Sequence, residues 1–191
     1  MVSSADSWEA IKLHEIHSLS KELDRLDFDR IESLGNRIVA SLHNGSRLAF
    51  LGNGGSAAEA MHFAAEFVSK CSIDHPPISA VCLNTSQSII TAVANDFGFE
   101  NVFERSVRAE LRPGDILIAL STSGKSKNVL KAIHAACEIG ISVVLWTGKN
   151  KVEELNGIEV WNCELNSTPR VQELHLIWGH LLAEYVERRF S

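Results

Sequence analysis

The sequence predicts a doubly wound α/β fold of about five parallel strands flanked by helices, and three observations carry that reading. Five short apolar runs recur along the chain: RLAFLG (47–52), ISAVCL (78–83), DILIAL (115–120), ISVVLW (141–146) and IEVWNC (158–163). Each is apolar on both faces, as a parallel strand covered by helices above and below must be. Helically spaced stretches separate them, and strand–helix alternation builds a doubly wound sheet. Glycine-rich and hydroxyl-rich turns follow the first and third runs, where such sheets bind ligands.

The remaining elements follow in order. Residues 6–44 place apolar side chains at three- and four-residue steps in SWEAIKLHEIHSLSKELDRL and DFDRIESLGNRIVASLHNG, which predicts two helices, the second ended by Asn44-Gly45. This pair is too short to stand alone and is expected to pack on the sheet or on a partner. The last stretch, TPRVQELHLIWGHLLAEYVERRF, reads as a long helix with Pro169 near its first turn. The 191 residues fit one domain, with helices over 1–45 and an α/β core with its C-terminal helix over 46–191.

Composition excludes several functions. A hydrophobic fraction of 45% without an 18-residue apolar run predicts no membrane span. The N-terminus lacks the basic and apolar regions of a signal peptide. A net charge of -6 without a basic, aromatic-interleaved patch argues against nucleic acid. Cys71, Cys82, Cys137 and Cys163 are scattered, as in a reducing compartment, so a cytoplasmic location is expected.

Two turns carry unusual chemistry: Gly52-Asn53-Gly54-Gly55-Ser56, and Ser121-Thr122-Ser123-Gly124-Lys125-Ser126. Glycine lets the backbone approach a ligand, hydroxyls add donors, and a helix N-terminus favours an anion. Together they predict a phosphate cradle, with simple helix capping as the alternative. Neither the Walker spacing nor the dinucleotide fingerprint is present, so no nucleotide cofactor is expected and a sugar phosphate fits better.

Beside the first turn, His62 and Glu66 stand four residues apart on one helix face. Phe63, Ala64, Ala65, Phe67 and Val68 surround Glu66, and desolvation of this kind raises a carboxyl pKa toward that of a general base. From this helix alone, a surface His/Glu pair is the favoured description. On the last helix Gln172, His175 and His180 interrupt an apolar run, where a hydrogen-bonded core histidine is the alternative for His180.

The segments GNGGS, AMHFAAEF, NDFGFENVF, STSGKSKNVLKAI and TPRVQELHLIWGH, in this order from about residue 35 onward, resemble the phosphoheptose isomerases of the sugar-isomerase (SIS) domain superfamily. The resemblance implies a flavodoxin-like three-layer fold and conversion of sedoheptulose 7-phosphate to D-glycero-D-manno-heptose 7-phosphate. It puts the base on Glu66 and the acid on His180. Substrate contacts fall on Asn53, Gly54, Gly55, Ser56, Glu66, Asn95, Asp96, Ser121, Thr122, Ser123, Ser126 and Gln172. A zinc ion, where relatives carry one, falls on His62, Glu66, Gln172 and His180. The chain departs from many relatives at Ser86 and Pro169, where an Asp is common, and in a shortened segment after Thr147-Gly148. Other relatives are non-catalytic partners of the replication initiator or sugar-phosphate-sensing regulators. The partners lack the glutamate and C-terminal histidine that this chain keeps.

The resemblance implies a homotetramer with sites at subunit interfaces. Geometry points the same way, since Gln172 and His180 are separated by about 12 Å of helix rise. The expectation is that Gln172 of one subunit and His180 of its neighbour meet the His62–Glu66 face. A kink at Gly179 within one chain is the alternative.

Overall fold

The computed structural model describes residues 7–150, 152 and 157–191. Residues 1–6 and most of the shortened segment after Gly148 lie outside the described residues.

Two helices lead, α1 (Trp8–Leu23) and α2 (Phe28–His43), N-capped by the side chains of Ser7 and Asp27. Then β1 (Leu48–Gly52), α3 (Gly55–Val68), β2 (Ala80–Cys82), α4 (Gln87–Phe97), α5 (Val102–Glu110), β3 (Ile116–Ser121), α6 (Lys127–Glu138), β4 (Ser142–Thr147), β5 (Glu159–Asn162) and α7 (Thr168–Glu187) follow. A single 3-10 turn, Phe99–Asn101, joins α4 to α5. All five expected strands form, each within a residue or two of its apolar run.

The strands pair in parallel in the order β2-β1-β3-β4-β5. Alternation within each strand feeds two cores. Leu48, Phe50, Ile116, Ile118, Leu120, Val144 and Trp146 point to the layer of α2, α3 and α7. Ala49, Leu51, Leu117, Ala119, Val143 and Leu145 point to the layer of α5 and α6. This two-sided burial is why the runs read as continuously apolar.

The N-terminal helices behave differently from each other. Helix α2 buries Ile31, Leu34 and Ile38 in the first core, against α7. Helix α1 touches α7 but buries no residue, and Trp8 and Leu13 remain 76% and 59% exposed. No helix among the described residues is long and apolar enough to cross a membrane.

Candidate active site

In this strand order the chain leaves β1 for β2 at one edge and returns past β1 to β3, so the loops after β1 and β3 diverge and open a crevice between them. Both unusual turns sit there. At the first, Gly54 takes φ 57, and a Cβ on Gly55 would lie 2.2 Å from Gln172 Nε2. Gly54 is therefore required by conformation, while a side chain at Gly55 would displace the Gln172 amide. Ser56 is buried in the first turn of α3.

Two asparagines that sequence reasoning missed hold this turn. Asn84 Oδ1 accepts from Gly52 N at 3.1 Å while its Nδ2 donates to Gly52 O at 2.8 Å. Asn128, buried in α6, exchanges two 2.8 Å side-chain bonds with Asn53 and so ties the glycine turn to the hydroxyl loop. The Asn53 amide is occupied by this tie. An asparagine four residues after an S-T-S-G run is the signal that could have found the pairing.

In the hydroxyl loop Ser121 Oγ donates to Ser126 Oγ at 3.2 Å, and Ser123 Oγ accepts from Lys125 N at 3.2 Å. Thr122 is half-buried between them. Ser126 is the N-cap residue of α6 and Gly54 that of α3, and neither makes a side-chain cap bond. At α3 the N–H groups of Ser56, Ala57 and Ala58 are taken by the Asn53 and Gly54 carbonyls. The hydroxyl loop instead offers a Ser123 N–H, unbonded among the described residues, beside its hydroxyls, groups of the kind an anion favours.

The reactive groups lie along the seam between α3 and α7. Gln172 packs at Gly55, Gly179 at Phe63 and His180 at His62, so the two helices run side by side in the same direction. A Cβ on Gly179 would fall 2.1 Å from Phe63 Cε1, and its absence lets the helices close at this level. His62 Nε2 then stands 2.8 Å from His180 Nε2, and His62 Nδ1 stands 3.4 Å from Glu66 Oε1. At 2.8 Å one ring donates to the other, or both lone pairs face a cation. One ligand atom from each of His62, Glu66 and His180 lies within 4.8 Å of the others. Two imidazoles and a carboxylate form a donor set of the kind catalytic zinc takes.

Within one chain the geometry brings His180 to His62 and Glu66 with no kink at Gly179, α7 running unbroken from Thr168 to Glu187. Helix α3 runs parallel to α7 and meets it at two levels, at Gly55 and at His62. Gln172 is not gathered with the other three. Its amide packs at Gly55, seven residues before His62 and about 10 Å along the helix axis.

Burial also falls differently from expectation. The Glu66 side chain keeps 18% exposure, and the enclosed carboxyl of α3 is Glu59, 6% exposed with neither oxygen hydrogen-bonded. Burial pushes the Glu59 carboxyl up to about 7; Ser56 beside it pulls weakly the other way without closing a hydrogen bond. His175 is wholly buried against Trp146 and Trp178, and burial drives its pKa down to about 3, opposed by the Thr147 backbone. The loop after α3 is pinned to α7 by the buried Glu187 carboxylate, which accepts from Cys71 N, Ser72 N and Ile73 N at 3.0–3.2 Å. Burial first, then the charges of Glu66 and Glu187, push the Cys71 thiol up to about 11, so it stays protonated beside the site. All four cysteines are free.

Asn95 and Asp96 lie exposed near the end of α4, with Asn95 Nδ2 donating to Asp96 Oδ1 at 2.7 Å. Among the described residues no hydrogen bond joins them to either loop. The two departures have local roles: Ser86 Oγ caps α4 by accepting from Ile89 N, and Pro169 occupies the first turn of α7.

The profile of the SIS domain family matches residues 13–148. A phosphoheptose isomerase of Nitratidesulfovibrio vulgaris is 42% identical over 160 residues, covering 83% of this chain and 77% of its own. One from Shewanella sediminis is 37% identical over 187 residues, covering 94% of each. The solved phosphoheptose isomerase of Neisseria gonorrhoeae superposes with a TM-score of 0.84 at 32% identity, covering 94% of this chain and 98% of that one. With a switch-point crevice, uncapped helix ends and a His–Glu–His cluster on one such fold, the chain belongs to the phosphoheptose isomerases, sugar-phosphate isomerase enzymes of the SIS domain family.

Proposed function

We propose that the protein interconverts sedoheptulose 7-phosphate and D-glycero-D-manno-heptose 7-phosphate through an enediolate. The assembly of His62, Glu66 and His180 on one seam, continuous with the glycine turn, carries this reading. A ketose–aldose isomerase needs a base for the carbon acid, a proton donor at the oxygens and a tether for the phosphate. Glu66 moves the proton between C1 and C2, and His180 serves O1 and O2. Ser121, Thr122, Ser123 and Ser126, with the uncapped start of α6, hold the phosphate. Gly54, Gly55, Ser56, Asn53 and Gln172 line the sugar, with Asn95 and Asp96 as further contacts.

His62, Glu66 and His180 are the residues of one chain that would hold a zinc ion, while the Gln172 of that chain packs at Gly55. Such an ion supplies Lewis acidity toward the substrate oxygens. Glu66 acts as ligand or as base at any one instant, and His62 keeps the carboxylate in place through its Nδ1 contact.

Helix α1 presents Trp8, Leu13 and Ile16 to solvent without burying any of its residues, which supports assembly with further copies, a homotetramer by family likeness. The test is an NMR-monitored conversion of sedoheptulose 7-phosphate by purified protein beside five- and six-carbon ketose phosphates. Turnover of the seven-carbon substrate well above the others is expected; preference for a shorter ketose phosphate overturns the substrate assignment.

A further inference from the structure

We infer that the segment after β4 is a brace that aims the hydroxyl loop at its ligand, with Asn150 as a positioning residue. The inference rests on the reading of that loop as the phosphate holder. Every second residue of the segment meets the loop. Gly148 N donates to Thr122 O at 3.1 Å, Asn150 Nδ2 donates to Ser123 O at 2.9 Å, and Val152 Cγ2 lies 2.9 Å from where a Gly124 Cβ would stand. Thr147 adds a fourth contact, its Oγ1 2.9 Å from the same position.

What these contacts do follows from the peptide plane. All the described peptides are trans, so each carbonyl points opposite to the N–H of the next residue. Holding the Thr122 carbonyl against the brace therefore turns the Ser123 N–H away from it. Holding the Ser123 carbonyl turns the Gly124 N–H, which closes the turn on Ser121 O at 2.9 Å. Among the described residues the Ser123 N–H has no acceptor. It is the donor that the brace presents beside the Ser121, Ser123 and Ser126 hydroxyls. Asn150 itself is exposed, so its amide is spent on the loop carbonyl and not on the core.

Two variants test this. Asn150→Leu keeps the size and neutrality of the side chain and removes the donor. Gly148→Ala drives a Cβ to 2.7 Å from the Thr122 carbonyl oxygen and displaces the same peptide from within the brace. Binding of inorganic phosphate is measured by titration calorimetry, and KM and kcat with the sugar phosphate. Both variants are expected to weaken phosphate and raise KM by about 5- to 10-fold, the weight of roughly one charge-assisted hydrogen bond, with kcat within about twofold. A loss of thermal stability with unchanged phosphate affinity and KM would mean a merely structural contact and overturn the inference alone. Wild-type protein that takes up no phosphate overturns the loop assignment and the inference with it.

Discussion

Glu59→Gln tests the buried carboxyl through its linkage to folding. Burial raises Glu59 from 4.5 to about 7. Below pH 4.5 the folded and unfolded chains both hold the proton and the site costs nothing. As pH rises through 4.5 the unfolded chain releases its proton while the folded chain retains it, so stability falls until about pH 7. At about 1.4 kcal/mol per pH unit over that interval, the loss comes to about 3 kcal/mol. His175 acts with the opposite sign. Its folded pKa is depressed from 6.5 to about 3, so its contribution is complete above pH 6.5 and is lost as pH falls. Between 4.5 and 6.5 the two slopes oppose each other, and the wild type should change little. Removing the Glu59 proton exposes the His175 slope. Denaturant unfolding of both proteins at pH 4.5, 5.5 and 8 is the assay. The variant should match the wild type near pH 4.5, gain stability with pH up to about 6.5, and exceed the wild type by about 3 kcal/mol at pH 8. A difference between the two proteins that is the same at all three pH values would refute the burial of an uncompensated carboxyl.

Three further outcomes follow from the geometry. Glu66→Gln should lower kcat by about 10²–10⁴ with an unchanged circular dichroism spectrum, since it removes a base and keeps its shape; activity within a few-fold of wild type removes Glu66 from that role. Mixed oligomers of Glu66→Gln and His180→Ala subunits should regain no activity, because both residues serve one chain's site; recovery in confirmed hetero-oligomers would restore the divided site. Gly179→Ala forces a Cβ into Phe63 and should cost about 1–3 kcal/mol of stability while parting His62 from His180, seen as a lower Tm with a larger loss of kcat than of substrate affinity.

The fold was legible because burial leaves a plain record: five short apolar runs became five parallel strands, the three central ones buried on both faces. The candidate site was legible in part. Spacing put His62 and Glu66 on one face, but the residues alone read His180 as a core histidine, and only the family resemblance singled it out. What spacing could not show was the direction in which α3 and α7 run past each other, and that direction decided whether His180 needed a second subunit. Glu59 escaped notice because an acidic residue in SAAEAM reads as a solvated helix position, and only the tertiary fold encloses it. Asn84, Asn128 and Asn150 escaped for a similar reason. Their amides bond across 27 to 75 residues of sequence, a range that periodicity does not sample.

The side-by-side course of α3 and α7 makes the molecule a ruler. The interval between the turn at Gly55 and the imidazole at His62 is set by helical rise, fixed by the backbone hydrogen bonds of α3, with no flexible loop in between. One residue inserted between them would add about 1.5 Å and rotate His62 by about 100°, swinging it off the α7 face while leaving the glycine turn as it was. Substitutions can therefore retune this enzyme's grip on its ligand, but insertions cannot retune its reach. The length of ligand it measures is bound to the register of two helices.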